Sequence, residues 1–229
     1  TYLRHAEDQL RAQAGDAPFL IMQSNGGVVS AEAAGQKPVT MLLSGPAAGV
    51  LGATYMSNLA GHKDVLTLDV GGTSTDVSLV EDLNPQLTTH SLIEHYPVKT
   101  PMLDIATVGT GGGSLAWIDD YGNLKVGPKS AGADPGPICY SRGGKKPTVT
   151  DAALVLGRLP NALVGGELAL DIDGARSAFA DLGSSFNISA EEAAAGVFEI
   201  AAANQVNGIR QVSVLKGRDP GLYALVAFG

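Results

Sequence analysis

The sequence predicts an α/β fold, and three observations carry that prediction. Short apolar runs, such as residues 65–70 and 225–228, alternate with segments of helical periodicity. Clusters of Gly, Pro, Asn and Asp punctuate most transitions between them. Of 229 residues, 45% are hydrophobic and 17% charged, a globular composition with enough chain to bury a core.

The elements follow in order. Tyr2, Leu3, Ala6, Leu10 and Ala14 recur at helical spacing, and Gly15-Asp16 ends that helix. Residues 19–22 read as a short buried strand, followed by a polar turn at 23–27. Ser30 is the expected N-cap of a short helix. A second helix runs from about 47 to 59, with Ser44 or Gly45 as cap and Pro46 at its start. One face of it is small (Ala47, Ala48, Gly49, Gly52, Ala53), which suits close approach to another backbone. Residues 65–70, 71–75 and 76–80 read as strand, tight turn, strand. A third strand is expected at roughly 87–95. The Gly-rich turn 109–113 precedes a hairpin of residues 114–118 and 123–126. Residues 127–147 are loop-like, and a long irregular stretch in a compact domain is usually functional. Thr150-Asp151 opens a helix through Leu159, residues 172–182 form another, and Ser189 with Glu192 makes a capping box for a helix to about Val214. A last strand closes the chain.

The formal net charge is −8, and the densest basic spot is Lys145-Lys146. That excludes a nucleic-acid partner, which needs clustered Lys and Arg. A single cysteine, Cys139, excludes an internal disulfide and fits a reducing, cytoplasmic setting. It reads as a small packed residue rather than a nucleophile. No apolar run reaches transmembrane length, so no membrane partner is expected. The chain opens at Thr1 inside a helical pattern, without Met, and closes on an apolar strand. An internal fragment of a longer polypeptide is expected.

The segment Asp69-Val70-Gly71-Gly72-Thr73-Ser74-Thr75-Asp76 carries the strongest chemical pattern. Adjacent glycines in a hairpin turn leave backbone N–H groups open to an anion, and Thr73, Ser74 and Thr75 add hydroxyls; such a nest suits phosphate. Asp69 and Asp76 stand at the two strand ends. They are candidate ligands of Mg²⁺ (or Mn²⁺) held partly through water, and either would orient an attacking water. An ordinary hairpin with glycines in its turn is the plain alternative. His5, His62, His90 and His95 lack metal-ligand spacing. Lys129 and Arg142 sit on the loop as candidate contacts to an anionic substrate, or as solvated side chains. Asn204, Gln205 and Asn207 stand on the last helix, whose apolar stripe is core.

The 69–76 segment resembles the phosphate hairpin of the actin, sugar-kinase and heat-shock ATPase superfamily. Ser44-Gly45-Pro46-Ala47-Ala48-Gly49-Val50 resembles the helix that precedes the second of its two hairpins. Six segments in order are similar to the hydantoinase A / 5-oxoprolinase family: residues 22–27, 43–49, 69–76, 107–114, 130–137 and 148–152. The resemblance implies a ribonuclease-H-like (actin-like ATPase) fold and an incomplete second nucleotide-binding domain. Residues 1–60 would be the end of a first lobe with its connecting helix. Residues 61–229 would be the second domain, with a loop insertion at 127–147. It implies ATP with Mg²⁺, and a small cyclic amide (hydantoin or 5-oxoproline type) opened by carbonyl phosphorylation. It also implies a hydantoinase B-type partner subunit, and it leaves oligomeric state open. It adds Gly111, Gly112 and Gly113 as phosphate or substrate contacts, the alternative being a permissive loop. Asn25, Asp134 and Asp151 are weaker substrate candidates, with helix-dipole stabilisation the plain role of Asp151. The first phosphate hairpin and the adenine-side loop are not in the sequence, so the isolated fragment is expected to be inactive. Two other functions remain open: the ATP-using subunit of an acetone-type carboxylase, and a nucleotide-driven chaperone or reactivase-like switch.

Overall fold

Strands and helices alternate along the chain in an α/β arrangement. The structure is a computed structural model that describes residues 2–15, 17–93 and 96–229. Asp16, expected to end the first helix, and His95, expected at the end of the third strand, lie outside the described residues. Packing divides the chain into two units. One comprises Thr1–Asp69, Val77–Ala106 and Val212–Phe228, the other Val70–Asp76, Thr107–Gln211 and Gly229.

The first unit begins with α1 (Tyr2–Ala14). The strand Leu20–Met22 then pairs antiparallel with Val28–Ser30. The Ser30 hydroxyl accepts from the Ala33 amide at 3.3 Å, capping α2 (Ala31–Gln36) as the sequence predicts. Leu20–Met22 is not the buried strand expected: Leu20 is 53% exposed, because this hairpin pairs with no further strand. α3 (Ser44–Leu59) starts earlier than expected, and neither Ser44 nor Gly45 caps it. The N-cap is Leu43, at φ 59°, with no side-chain cap bond.

The main sheet has the order Ile105–Val108, Thr75–Glu81, Val65–Val70, Ala224–Phe228. The last two strands are parallel, in register from Ala224 beside Val65 to Phe228 beside Asp69. A parallel neighbour requires a crossover, and here the intervening chain supplies it. Val65, Val80 and Leu103 pack with Ala47 and Val50 of α3 in one core. α3 and the sheet thus share buried apolar surface within this unit. Only part of the small face of α3 is used for close approach. A Cβ on Gly49 would lie 2.9 Å from the Phe228 ring, whereas one on Gly52 would meet nothing within 4 Å.

The third strand is broken into Leu87–Thr88 and Ser91–Ile93. The Thr88 hydroxyl accepts from the His90 amide at 3.1 Å and turns the chain between them. At the C-terminal end, Glu81 accepts from Arg218 Nε at 3.1 Å, Arg218 Nη2 at 2.9 Å and Tyr223 OH at 2.9 Å. Those bonds, Arg218 first and Tyr223 second, hold the Glu81 carboxyl below its ordinary value. Lys216 pairs with Asp104.

The second unit carries the Ser114–Ile118/Leu124–Ser130 hairpin and three helices: α4 (Val149–Val155), α5 (Ile172–Ser184) and α6 (Ala190–Val212). Its core gathers Ala116, Leu154, Phe179, Ala194 and Val197. Full burial of a side chain like Phe179 contributes about 1.5–3 kcal/mol. α4 ends at Val155 rather than Leu159, because Gly157 takes φ 68° and donates back to the Leu154 carbonyl. The capping box of α6 forms as predicted: Ser189 N donates to Glu192 at 2.8 Å and Glu192 N to Ser189 Oγ at 3.2 Å. Among the described residues, no helix is long and apolar enough to cross a membrane.

Candidate functional site

The turn 71–74 belongs to the second unit and is closed by the Gly71 amide donating to the Ser74 carbonyl at 2.9 Å. Gly72 and Thr73 are exposed and Ser74 is half-buried. Among the described residues, none accepts from the amides of Gly72, Thr73 or Ser74. Three successive open donors in a tight turn form a concavity for an anion.

The carbonyls of the same turn point to other partners. Gly71 O accepts from the Gly112 amide at 2.9 Å, and Gly72 O from the Gly113 amide at 2.6 Å. The Gly111 amide donates to Ser114 Oγ at 2.9 Å. All three glycine amides of the second turn are thus committed within the protein. Gly111, Gly112 and Gly113, expected as phosphate or substrate contacts, therefore have no amide free for a phosphate in this arrangement. Their lack of side chains has a steric cause instead. A Cβ on Gly111 would sit 2.4 Å from Gly71 O, one on Gly112 2.8 Å from Thr150 Oγ1, and one on Gly113 2.8 Å from Gly72 O. The Thr150 amide and hydroxyl both donate to the Gly112 carbonyl, at 2.8 and 2.9 Å. The second turn is a dock that holds the first from behind.

Thr75 is also reassigned. Its side chain is fully buried and its hydroxyl donates to the Thr110 carbonyl at 2.6 Å, so it is not a phosphate donor. Asp76 is half-buried and its Oδ1 accepts from the Thr107 hydroxyl at 2.5 Å. Asp69 is half-buried and lies beside Phe228 in the parallel register of the first unit. A carboxylate is a hard oxygen donor, the chemistry that suits Mg²⁺ with several waters retained. Among the described residues, no three His, Cys, Asp or Glu side chains cluster as a closed metal cage.

The weaker candidates separate. Asp151 is fully buried; it accepts from the amides of Thr148 (2.9 Å), Cys139 (2.8 Å) and Ile138 (3.3 Å) and from the Thr148 hydroxyl (2.8 Å). It closes a capping box on α4 and pins the 138–139 turn, so both oxygens serve the fold and the substrate role expected for it is not supported. Cys139 lies beside it. Burial pushes the thiol well up, and the neighbouring Asp151 carboxylate adds to that, in keeping with a packed, unreactive side chain. Asn25 is exposed, and its side-chain oxygen accepts from the Gly27 amide at 2.9 Å, a turn-forming role. Asp134 is exposed and lines a cleft of ≈ 450 Å³ with Ser130, Lys145 and Lys146. Lys129 and Arg142 are exposed. Sequence reasoning missed Thr107, Thr110 and Thr150, whose partners lie 31 to 38 residues away in the chain. No local pattern announces such bonds.

Comparison with known proteins decides what kind of molecule carries this site. The model of the hydantoinase/oxoprolinase family matches residues 1–229. The chain belongs to the hydantoinase/oxoprolinase family. Caprolactamase subunit alpha of Pseudomonas jessenii is 41% identical over 217 residues, covering 93% of this chain and 31% of that protein. The crystal structure of the ATP-dependent caprolactamase from the same organism has a TM-score of 0.84 at 37% identity, covering 100% of this chain and 33% of that one. 5-Oxoprolinase 1 of Arabidopsis thaliana is 38% identical, over 94% of this chain and 18% of its own length. The nucleotide-free structure of acetone carboxylase has a TM-score of 0.86 at 28% identity, covering 97% of this chain and 32% of that chain. This hydantoinase/oxoprolinase chain therefore spans a third or less of these relatives.

Proposed function

We propose that this chain is the phosphate-binding part of an ATP-dependent enzyme that opens a cyclic amide. The observation that carries the reading is the pair of turns: amides of Gly72, Thr73 and Ser74 that no described residue accepts from, braced from behind by the 109–114 dock. The amides and the Thr73 and Ser74 hydroxyls would hold the β- and γ-phosphate oxygens of ATP. Positioning and charge balance are most of what phosphoryl transfer asks of a protein. Asp69 or Asp76 would hold Mg²⁺, whose charge neutralises the phosphates. The amide carbonyl oxygen of the substrate would take the γ-phosphoryl group as ADP leaves. Water then adds to the activated carbon. The ring C–N bond breaks as the nitrogen takes a proton and leaves as the amine, and a second water hydrolyses the resulting acyl phosphate to carboxylate and phosphate. In this reading the fold is actin-like, 61–229 is its second domain, and α3 joins the two lobes.

The relatives named as caprolactamase subunit and 5-oxoprolinase favour a lactam or 5-oxoproline-type substrate and a partner subunit of hydantoinase B type. A second reading, an ATP-using carboxylase subunit acting on a ketone, is favoured by the acetone carboxylase structural match. The test is phosphate release by the full-length protein with its partner subunit, against caprolactam, hydantoins, 5-oxoproline, and ketones with bicarbonate. Stimulation by a cyclic amide is expected. Stimulation by ketone plus bicarbonate alone would replace this reading with the carboxylase, and no stimulation by any of them would leave a nucleotide-driven switch.

A further inference from the structure

Helix α6 packs into the second unit along a stripe of small and apolar side chains: Ala193, Ala194, Val197 and Ala201 are all at most 3% exposed. The same stripe continues one turn on at Asn204 and Gln205, and there it becomes polar. An amide in that position is unfavourable relative to a packed Leu or Met unless it is hydrogen-bonded. Both amides are bonded, and both reach the two phosphate-site turns. Asn204 Nδ2 donates to Thr110 Oγ1 at 3.0 Å and reaches the Val126 carbonyl at 3.5 Å. Gln205 Nε2 donates to Thr75 Oγ1 at 3.4 Å. Thr75 has one O–H, and it goes to the Thr110 carbonyl at 2.6 Å. Its oxygen is thereby left as an acceptor, which the Gln205 donor meets. The bonds run in one direction, from α6 through Thr75 and Thr110 to the residue that follows the 71–74 turn and the residue that opens the glycine dock.

We infer that Asn204 and Gln205 are positioning residues that set the phosphate turn from α6, acting through Thr75 and Thr110 rather than on the nucleotide. The inference rests on the phosphate-binding reading above. Neither residue touches the open amides of 72–74. Each holds the buried hydroxyl of the neighbouring segment, so that turn and dock keep one relative placement within the unit. Small misplacement at such a site is expensive, since an ångström costs on the order of a hundredfold in rate.

The experiment measures the dissociation constant of ATP for the full-length protein by calorimetry, with the melting temperature followed in parallel. The variants are Gln205→Met, Asn204→Leu, Thr75→Val and the double variant Gln205→Met with Thr75→Val. A positioning role predicts that Gln205→Met weakens ATP roughly tenfold while the protein remains folded at the assay temperature, and that Thr75→Ser, which keeps the hydroxyl, binds as wild type. It predicts further that Gln205→Met has no added effect once Thr75 is Val. A purely packing role lowers the folded fraction without changing the affinity of the molecules that remain. Unchanged affinity in Gln205→Met, or equal losses in both backgrounds, would overturn the inference. Gly72→Ala in the same assay separates the two claims: if it too binds ATP as wild type, the phosphate reading itself has failed.

Discussion

The turn 71–74 and the turn 109–114 are both glycine-rich and both follow a strand, yet their amides have opposite fates. In the first, no described residue accepts from the N–H groups of Gly72, Thr73 and Ser74. In the second, Gly111, Gly112 and Gly113 give theirs to Ser114, Gly71 and Gly72. Glycine permits close approach in both places: in the second turn to another backbone, in the first, on the proposed reading, to phosphate. What separates them is where the donors go, and that decides which turn is a candidate for chemistry.

The largest effect should come from the ligand-facing side. Asp76→Asn in the full-length protein should lower ATP turnover about a hundredfold or more while the melting temperature stays near wild type, as weakening the hold on the Mg²⁺ that stabilises a developing phosphate charge does. Steady-state phosphate release beside a thermal melt checks both halves. Unchanged turnover would break the assignment of the hairpin.

Next comes the dock. A Cβ at Gly111 would lie 2.4 Å from Gly71 O, backbone that cannot swing away, whereas one at Gly72 would meet nothing within 4 Å. Gly111→Ala should therefore destabilise by about 1–3 kcal/mol. Gly72→Ala should leave the melt alone and weaken ATP roughly tenfold by crowding the anion. Denaturant unfolding and calorimetry on the pair would sharpen the comparison, and equal behaviour of the two variants would break it. Asp151→Asn offers a control away from both turns. It puts a donor where the Cys139, Ile138 and Thr148 amides need an acceptor, and should lose about 1–3 kcal/mol of stability with the KM for ATP unchanged.

Much of this was legible in the sequence where the cause is local. The caps at Ser30 and Ser189, the strand–turn–strand at 65–81 and the hairpin at 114–130 depend on neighbours a few residues apart. The hairpin's open amides were legible as a Gly-Gly-Thr turn between two aspartates. The dock was not, because Gly71 and Gly112 meet across about forty residues of chain with no pattern to link them. Thr75 looked like a third phosphate hydroxyl for the same reason: its acceptor, Thr110, is 35 residues away. The third strand failed differently. It was expected as one run over roughly 87–95, but the Thr88 hydroxyl competes for the His90 backbone and breaks the ladder.

The smallest expected effect concerns the last strand. Arg218 and Tyr223 hold Glu81 below its ordinary value of 4.5, so their contribution to stability is complete above that pH and is lost as pH falls through the lowered folded value. Arg218→Met should remove part of the acid dependence of unfolding below pH 4.5, with a small loss of stability at neutral pH that fades as pH falls, as measured by melts across that range.

The central claim is that the 71–74 turn faces the nucleotide and the 109–114 turn does not. The most direct measurement is the structure of the full-length protein with Mg²⁺ and a non-hydrolysable ATP analogue. The account predicts phosphate oxygens within about 3 Å of the Gly72, Thr73 and Ser74 amides, with the Gly112 and Gly113 amides still on the Gly71 and Gly72 carbonyls. Phosphate bound on the 111–113 amides, with the dock opened to release them, would contradict it.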